Sequence, residues 1–330
     1  MSKRIAILGA TGLVGQNMRN ILEERSDDWD LTLFASENSA GKTVAFRGKT
    51  LTVRELTEDA LKEGAFDYVL SALDGDLAAR FCPAAKAAGS TVIDNSSRFR
   101  MDPEVPLVVP EINMADAKGG AGIISNPNCS TIQSVVALAP LEEKYGIDRV
   151  VFTTFQAVSG SGVKGLSDLK RGVAGEEPEM YPYPIAYNCI PHIDDFLEDG
   201  YTKEEMKMID ETRKIFHRPD MKITATAVRV PVKSAHAISV NVTLQKPFAL
   251  EDIRAALSEA EGVVLQDDPA SLVYPMQIYA EGKDEVFVGR IRKDPSAENS
   301  LNLWVVADNT RKGAALNAIQ ILEHLVEARA

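Results

Sequence analysis

Ile5-Ala6-Ile7-Leu8 is an unbroken apolar run of strand length, and it opens onto Gly9-Ala10-Thr11-Gly12-Leu13-Val14-Gly15. A strand with no polar alternation is one buried on both faces. After the glycine-rich turn a helical pattern continues to about Glu24. Strand, turn and helix in this order predict a parallel sheet with crossover helices, since a hairpin cannot join parallel neighbours. The same order is the dinucleotide-binding fingerprint. Its glycines let the backbone approach a pyrophosphate, which rests on the helix N-terminus. The spacing here is GxxGxxG rather than GxGxxG, and a plain tight turn has that pattern too.

The alternation repeats along the first half. Strands are expected at Leu31 to Ala35, within Tyr68 to Asp76 (a strand ending in a small-residue turn), and at Thr91 to Asp94, Leu107 to Val109 and Ile123 to Ser125, with a helix from Leu77 to Ala88. From about Arg149 the pattern changes to long alternating strands, at Val150 to Val158, Ile223 to Val230, Ala237 to Leu244, Val286 to Arg292 and Leu301 to Val306. Helices are expected at Glu204 to Phe216 and Leu250 to Ala260, and a last one from Gly313 to Ala328 carries Leu316, Ile319, Leu322 and Val326 on one stripe. The fold class is therefore α/β: a doubly wound, mostly parallel nucleotide-binding sheet, plus an α+β domain with a mixed, largely antiparallel sheet. We place the first domain at residues 1–129 plus 313–330 and the second at 130–312.

The formal net charge of −12 argues against nucleic acid or an anionic membrane surface as partner. No apolar run reaches the length of a bilayer span. Met1-Ser2-Lys3-Arg4 leads straight into a strand and does not read as a signal peptide. Three cysteines without CxxC spacing give neither a disulfide framework nor a metal site, so the cytoplasm is the expected compartment.

Chemistry concentrates at Ile123-Ile124-Ser125-Asn126-Pro127-Asn128-Cys129-Ser130-Thr131. A β-prone run stops at an Asn-Pro-Asn turn, and a helix reads from Thr131 to Leu141, placing Cys129 at or just before its N-terminus. Unpaired N–H groups and the positive end of the helix dipole favour a thiolate there, and the same groups can hold an oxyanion. Cys82, beside Phe81 and Ala84, and Cys189 read as packing. Arg98 follows a strand end, where it is either a surface charge or an oxyanion ligand. Arg229 lies in the apolar run Ala225 to Val232, so its guanidinium either reaches solvent or is held for an anion. Glu211 and Lys214 share a helix face at i and i+3, as an ordinary ion pair or as opposite charges for one ligand. Of four histidines, His192, His217 and His324 read as turn or surface residues. His236, between Ala235 and Ala237 just before an alternating strand, has room for a ligand. After the second strand, Ser36, Ser39 and Lys42 suit a ribose 2′-phosphate, whereas Glu37 does not.

Together with Asn95-Ser96-Ser97-Arg98, Gln156-Ala157-Val158-Ser159-Gly160-Ser161-Gly162, Glu211-Thr212-Arg213-Lys214, Arg229-Val230-Pro231-Val232 and Asp308-Asn309-Thr310-Arg311-Lys312-Gly313, these motifs occur in one order over nearly the whole chain. In that order the sequence resembles the aspartate-semialdehyde dehydrogenase family. The resemblance implies interconversion of L-aspartate 4-semialdehyde, phosphate and NADP⁺ with L-4-aspartyl phosphate and NADPH, running reductively toward lysine, threonine and methionine. It implies Cys129 as nucleophile, His236 as acid/base and Gln156 as the group that orients the acyl intermediate. Arg229 would hold the substrate carboxylate, Glu211 its ammonium, and Arg98 and Lys214 the phosphate, with Asn128 lining the site. Cofactor contacts would come from Gly9, Thr11, Gly12, Leu13, Val14, Ser36, Ser39, Ala72, Ser159, Gly160 and Asn309. No metal is implied, and a homodimer is.

A thiol suits this chemistry because its thioester stays labile to phosphate, and a near-neutral imidazole suits removal of the hydroxyl proton as hydride departs. The family usually has an arginine where Asn38 stands, so NAD use is a second expectation beside NADP. N-acetyl-γ-glutamyl-phosphate reductase is the nearest rival, although an acylated nitrogen gives Glu211 no ammonium to face. A non-catalytic relative would lack the nucleophile or the base, and an acyl-CoA reductase would need a nucleotide-sized acyl site.

Overall fold

The computed structural model describes residues 3–26, 28–117 and 122–328. Met1 and Ser2, on which the leader reading partly rests, lie outside the described residues. The chain forms two compact units, Met1–Pro127 with Ala314–Ala330, and Asn128–Gly313. Asn128, Cys129 and Gly313 fall within the second unit.

The first unit is built on β1 (Lys3–Leu8), β2 (Trp29–Ala35), a small hairpin of β3 (Thr43–Phe46) and β4 (Lys49–Thr52), and then β5 (Arg54–Glu55), β6 (Tyr68–Ser71), β7 (Thr91–Asp94) and β8 (Ile123–Ser125). Six of these form a sheet in the order β5-β2-β1-β6-β7-β8, every pair parallel. Ile5, Ala6, Ile7 and Leu8 are completely buried. Each large side chain among them contributes roughly 1.5–3 kcal/mol by burial, which exceeds the cost of about 1–2 kcal/mol for fixing a residue's backbone. One sheet face packs on Met18 and Leu22 of α1 (Leu13–Glu24) and on Leu316, Ile319 and Leu322 of the C-terminal helix Leu316–Glu327. The other packs on α2 (Glu58–Gly64) and on Phe81, Cys82 and Ala85 of α3 (Gly75–Ala87). Cys82 is core as expected, and burial pushes its thiol far above the ordinary range.

Two expectations need correction here. Leu107 to Val109 is not a strand: only Leu107 bridges Ser125, and the side chain of Asn113, in α4 (Pro110–Asn113), accepts from the Val109 N–H at 2.9 Å. The last helix does not run unbroken from Gly313, because Arg311–Ala315 is a π-helical turn.

In the second unit a six-stranded sheet has the order β10-β9-β11-β14-β13-β12, from β9 (Ile147–Gln156), β10 (Lys222–Arg229), β11 (His236–Leu244), β12 (Val263–Leu265), β13 (Val286–Lys293) and β14 (Ser300–Ala307). The three central pairings are antiparallel and the two outer ones parallel. Helix α5 (Cys129–Tyr145) is longer than expected at both ends. Its residues from Ser130 to Leu138 are all buried, so the polar stripe that would reveal a helical period is missing. The unit also holds α6 (Gly162–Val173), which was not anticipated, α7 (Lys203–Ile215) and α8 (Leu250–Glu259). His236 is the first residue of β11, not a loop residue before it, and Arg229 is the last of β10. Among the described residues no helix is long and apolar enough to cross a membrane, and no group of side chains has the makings of a metal site.

Candidate active site

Cys129 is the first residue of α5, half-buried, with Asn128 as N-cap. The Asn128 Oδ1 accepts from the N–H groups of Ser130 at 2.9 Å and Thr131 at 3.3 Å, which shapes the first turn around the sulfur. Asn128 is itself held. Its N–H donates to Glu211 Oε2 at 2.7 Å and its Nδ2 to Glu204 Oε1 at 3.0 Å. Gln156, the last residue of β9, donates its Nε2 to the same Glu204 Oε1 at 3.0 Å. Gly313 lies against the cysteine, and a Cβ there would stand 2.9 Å from the Cys129 Cβ.

Ala157 joins the other two predicted residues. Its N–H donates to His236 Nδ1 at 3.0 Å, and its carbonyl accepts from Arg229 Nη1 at 2.8 Å. Both side chains are buried, and neither His236 Nε2 nor Arg229 Nε has a partner among the described residues. Among the described residues no carboxylate pairs with Arg229. Of the two sequence alternatives for Arg229, exposure to solvent is excluded, leaving a buried cation that an anion would stabilise. Gly160 closes over the pair: a Cβ there would lie 2.8 Å from Arg229 Nη1 and 3.3 Å from His236 Nε2. Helix α5 packs on this face, for Gln133, one turn on from Cys129, donates to the His236 carbonyl at 3.2 Å.

The residue before the imidazole is in an unusual conformation. Ala235 adopts the left-handed region at φ 65°, its N–H donating to Asn309 Oδ1 at 3.1 Å and its carbonyl accepting from Gln277 Nε2 at 2.7 Å. Asn309 Oδ1 also accepts from the Ser159 hydroxyl at 3.0 Å, so two of the predicted cofactor residues, both buried, are bonded to each other.

Burial, and then the charge of Arg229, hold His236 well below the ordinary imidazole value of 6.5, against a smaller opposite effect of the Ala235 backbone. The folded ring stays neutral where the unfolded ring gains a proton, so stability falls as pH drops below 6.5. Chemical denaturation between about pH 7 and pH 5 is expected to show this, with a slope of up to about 1.4 kcal/mol per pH unit from this residue. His236→Gln should lose that part of the slope. An unchanged pH profile in the variant would mean the ring is accessible to protons in the folded chain.

In the first unit, Gly9 has φ 78°, and a Cβ on it would meet the Ala72 carbonyl oxygen at 2.7 Å. A Cβ on Gly15 would collide with the Gly9 carbonyl oxygen. Gly12 is the N-cap of α1 and makes no side-chain cap, and the first turn has no acidic residue, leaving the N-terminus open to an anion. Thr11, Leu13 and Val14 belong to the same turn and first helical residues, and the Thr11 carbonyl accepts from Gln16 Nε2 at 2.7 Å. These residues fit a dinucleotide pyrophosphate. Lys42 Nζ donates to Ser39 Oγ at 3.2 Å, beside the short 3₁₀ turn Glu37–Ser39 that follows Ser36. Arg98 is exposed, with its N–H on Ser96 Oγ.

On α7, Glu211 is fully inside and Lys214 half-buried. Sequence reading assigned Glu211 to a ligand ammonium, whereas here one of its oxygens is committed to the Asn128 backbone. Reading from the sequence missed Glu204. It lies within the acidic start of a helix, where a carboxylate ordinarily complements the dipole. The clue was Thr202-x-x-Glu205: those two form the capping box, which leaves Glu204 to turn inward.

The chain matches the family model described as "Semialdehyde dehydrogenase, NAD binding domain" over residues 4–119 and the one described as "Semialdehyde dehydrogenase, dimerisation domain" over residues 138–312. It is 50% identical to an aspartate-semialdehyde dehydrogenase of Aquifex aeolicus, covering 99% of each chain. A crystal structure of aspartate semialdehyde dehydrogenase II from Vibrio cholerae, complexed with ASA, superposes with a TM-score of 0.94 at 45% identity, over 99% of both chains. That of the Candida albicans aspartate semialdehyde dehydrogenase with NADP does so with a TM-score of 0.79 at 27% identity, over 98% of both. With both family models matched and a relative half identical along nearly its whole length, the chain belongs to the aspartate-semialdehyde dehydrogenase family.

Proposed function

We propose that this oxidoreductase converts L-4-aspartyl phosphate to L-aspartate 4-semialdehyde with release of phosphate, reversibly, using NADPH and a thioester on Cys129, on the route to lysine, threonine and methionine. The observation that carries the reading is the pair of buried, unpartnered nitrogens, His236 Nε2 and Arg229 Nε, gathered at Ala157 beside the helix that Cys129 begins. Such groups are stabilised by a ligand that brings an anion and an oxygen to them.

In the oxidative direction the Cys129 sulfur adds to the aldehyde carbon, and the π pair of the carbonyl moves onto oxygen. Because Nδ1 accepts from Ala157, the neutral His236 ring carries its proton on Nε2 and meets that oxygen as a hydrogen-bond donor. This refines the expected base into a group that stabilises the oxyanion. A bound nicotinamide nucleotide supplies or accepts the hydride. Arg229 holds the substrate carboxylate, Glu211 faces the ammonium and Gln156 orients the acyl group. Phosphate, held by Arg98 and Lys214, attacks the thioester carbon, and the thiolate leaves. Gly9, Thr11, Gly12, Leu13 and Val14, with Ala72 beside their turn, would hold the pyrophosphate of the dinucleotide, Ser36 and Ser39 would serve its ribose, and Ser159, Gly160 and Asn309 would serve its nicotinamide. The protein works in the cytoplasm as a homodimer. The surface formed by Trp304 of β14 with Tyr274 and Met276 of the loop before β13 and Ile278 of the short helix Gln277–Ala280, around a cavity of about 540 Å³, is the face for a second copy.

Aspartate semialdehyde, NADP⁺ and phosphate together are expected to yield NADPH, and leaving out phosphate should stop turnover. Phosphate-independent turnover, or a preference for an N-acetylated five-carbon substrate, would remove this reading. With Asn38 and Glu37 beside the ribose, NADP⁺ should be favoured over NAD⁺ in kcat/KM by only about tenfold, the equivalent of one charge-assisted hydrogen bond. A preference many times larger would show that Ser36, Ser39 and Lys42 suffice.

A further inference from the structure

We propose that Glu204 is a positioning residue that fixes which end of the Gln156 amide faces the reacting acyl group. The inference rests on the reading of the site given above. Glu204 is buried, on the first turn of α7, and its two oxygens are divided between two tasks. Oε1 accepts from Asn128 Nδ2 and from Gln156 Nε2, each at 3.0 Å, while Oε2 accepts from Lys207 Nζ at 3.2 Å. Lys207 is braced in turn by Asp194 at 2.6 Å.

An ionised carboxylate has no proton to give, so an amide that meets it must present its NH₂ group. Turning either amide over would bring a carbonyl oxygen against the carboxylate. For Asn128 the consequence is visible: Oδ1 is directed onto the Ser130 and Thr131 N–H groups and shapes the turn at Cys129. For Gln156 the nitrogen is taken up by Glu204, with Thr154 Oγ1 at 3.3 Å, and the oxygen is turned the other way. Gln156 therefore offers the acyl group an acceptor, and the donor to the developing oxyanion is left to His236. Burial alone would raise the Glu204 carboxyl, but the charge of Lys207 and the bonds from Gln156, Asn128 and Lys207 together hold it below the usual value. Lys207 is the charged group that faces its oxygens; the partners from α5 and β9 are neutral amides.

In Glu204→Gln the new side chain keeps its oxygen on Lys207 and puts an NH₂ group where two NH₂ groups already point, so one amide must turn over. We expect kcat to fall at least about tenfold, as misplaced reacting groups do, with KM for the semialdehyde within about twofold because Arg229 is untouched. If Glu204 acts through Gln156, adding Glu204→Gln to Gln156→Ala should cost less than about threefold more, a coupling that two independent defects would not show. Undiminished kcat in Glu204→Gln, or full multiplicative losses in the double variant, overturns the proposal.

Should Glu204→Gln fail to fold, Lys207→Met carries the test. It leaves the carboxylate in place without its counter-charge, so the acid limb of kcat should move to higher pH, and an unmoved limb overturns the proposal. Wild-type turnover and its loss in Cys129→Ala judge the underlying reading separately. An active wild type, a dead Cys129→Ala and an unaffected Glu204→Gln would sink the positioning role alone.

Discussion

Cys129→Ala is expected to bring phosphate-dependent turnover down by at least about 10⁴-fold, in line with the removal of a covalent nucleophile elsewhere. The variant should still fold. Cys129 is half-buried at the first position of α5, and Asn128 makes the capping bonds of that turn, not the cysteine. Alanine suits a helix, so the stability change should stay within about 1 kcal/mol. The cofactor cradle described above lies at Gly9 to Gly15, remote in sequence, so nucleotide affinity should match the wild type. Thermal denaturation, calorimetric titration with NADP⁺ and a steady-state assay separate these three statements. Residual turnover above about one per cent of wild type, in a sample free of wild-type protein, would show that the sulfur is not the nucleophile.

The second large effect is expected at His236→Gln, with kcat lower by roughly 10²–10⁴-fold. Glutamine can accept from the Ala157 N–H through its Oε1, so the turn from Gln156 to Gly160 keeps its anchor. What it does not restore is the ring's Nε2–H, which has no partner among the described residues. The loss should fall on kcat with KM for the semialdehyde little changed, because Arg229 keeps its bond to the Ala157 carbonyl. A rise in KM at constant kcat would instead identify His236 as a group that binds substrate and leaves the reacting oxygen alone.

How much of this was legible in the sequence depends on what surrounds each element. Ile5 to Leu8 announced a doubly covered strand because every one of its faces is apolar and buried. The hairpin of β3 and β4 was not legible: it has mostly exposed or partly exposed residues and no buried run. Helix α5 was read too short for the opposite reason, since burial on every side erases the stripe that marks a helix. Arg229 stood out because a guanidinium inside an apolar run is costly without a partner. Glu204 did not, because a carboxylate in the first turn of a helix is ordinary. Only its bonds to residues far away in the chain, Asn128 and Gln156, distinguish it. Cys129 and Arg229 thus drew notice by residue type and place in the pattern, while Glu204 did not.

The twist at Ala235 sets a limit on how this site could be rebuilt. A left-handed turn at a residue with a Cβ costs on the order of 1–2 kcal/mol, and here it comes directly ahead of His236. Glycine would relieve that cost but widen the freedom of the unfolded chain by a similar amount. The net gain is therefore small, and what disappears is the stiffness of the joint from which the imidazole hangs. Valine, isoleucine and threonine, with two heavy atoms on the Cβ, are shut out altogether.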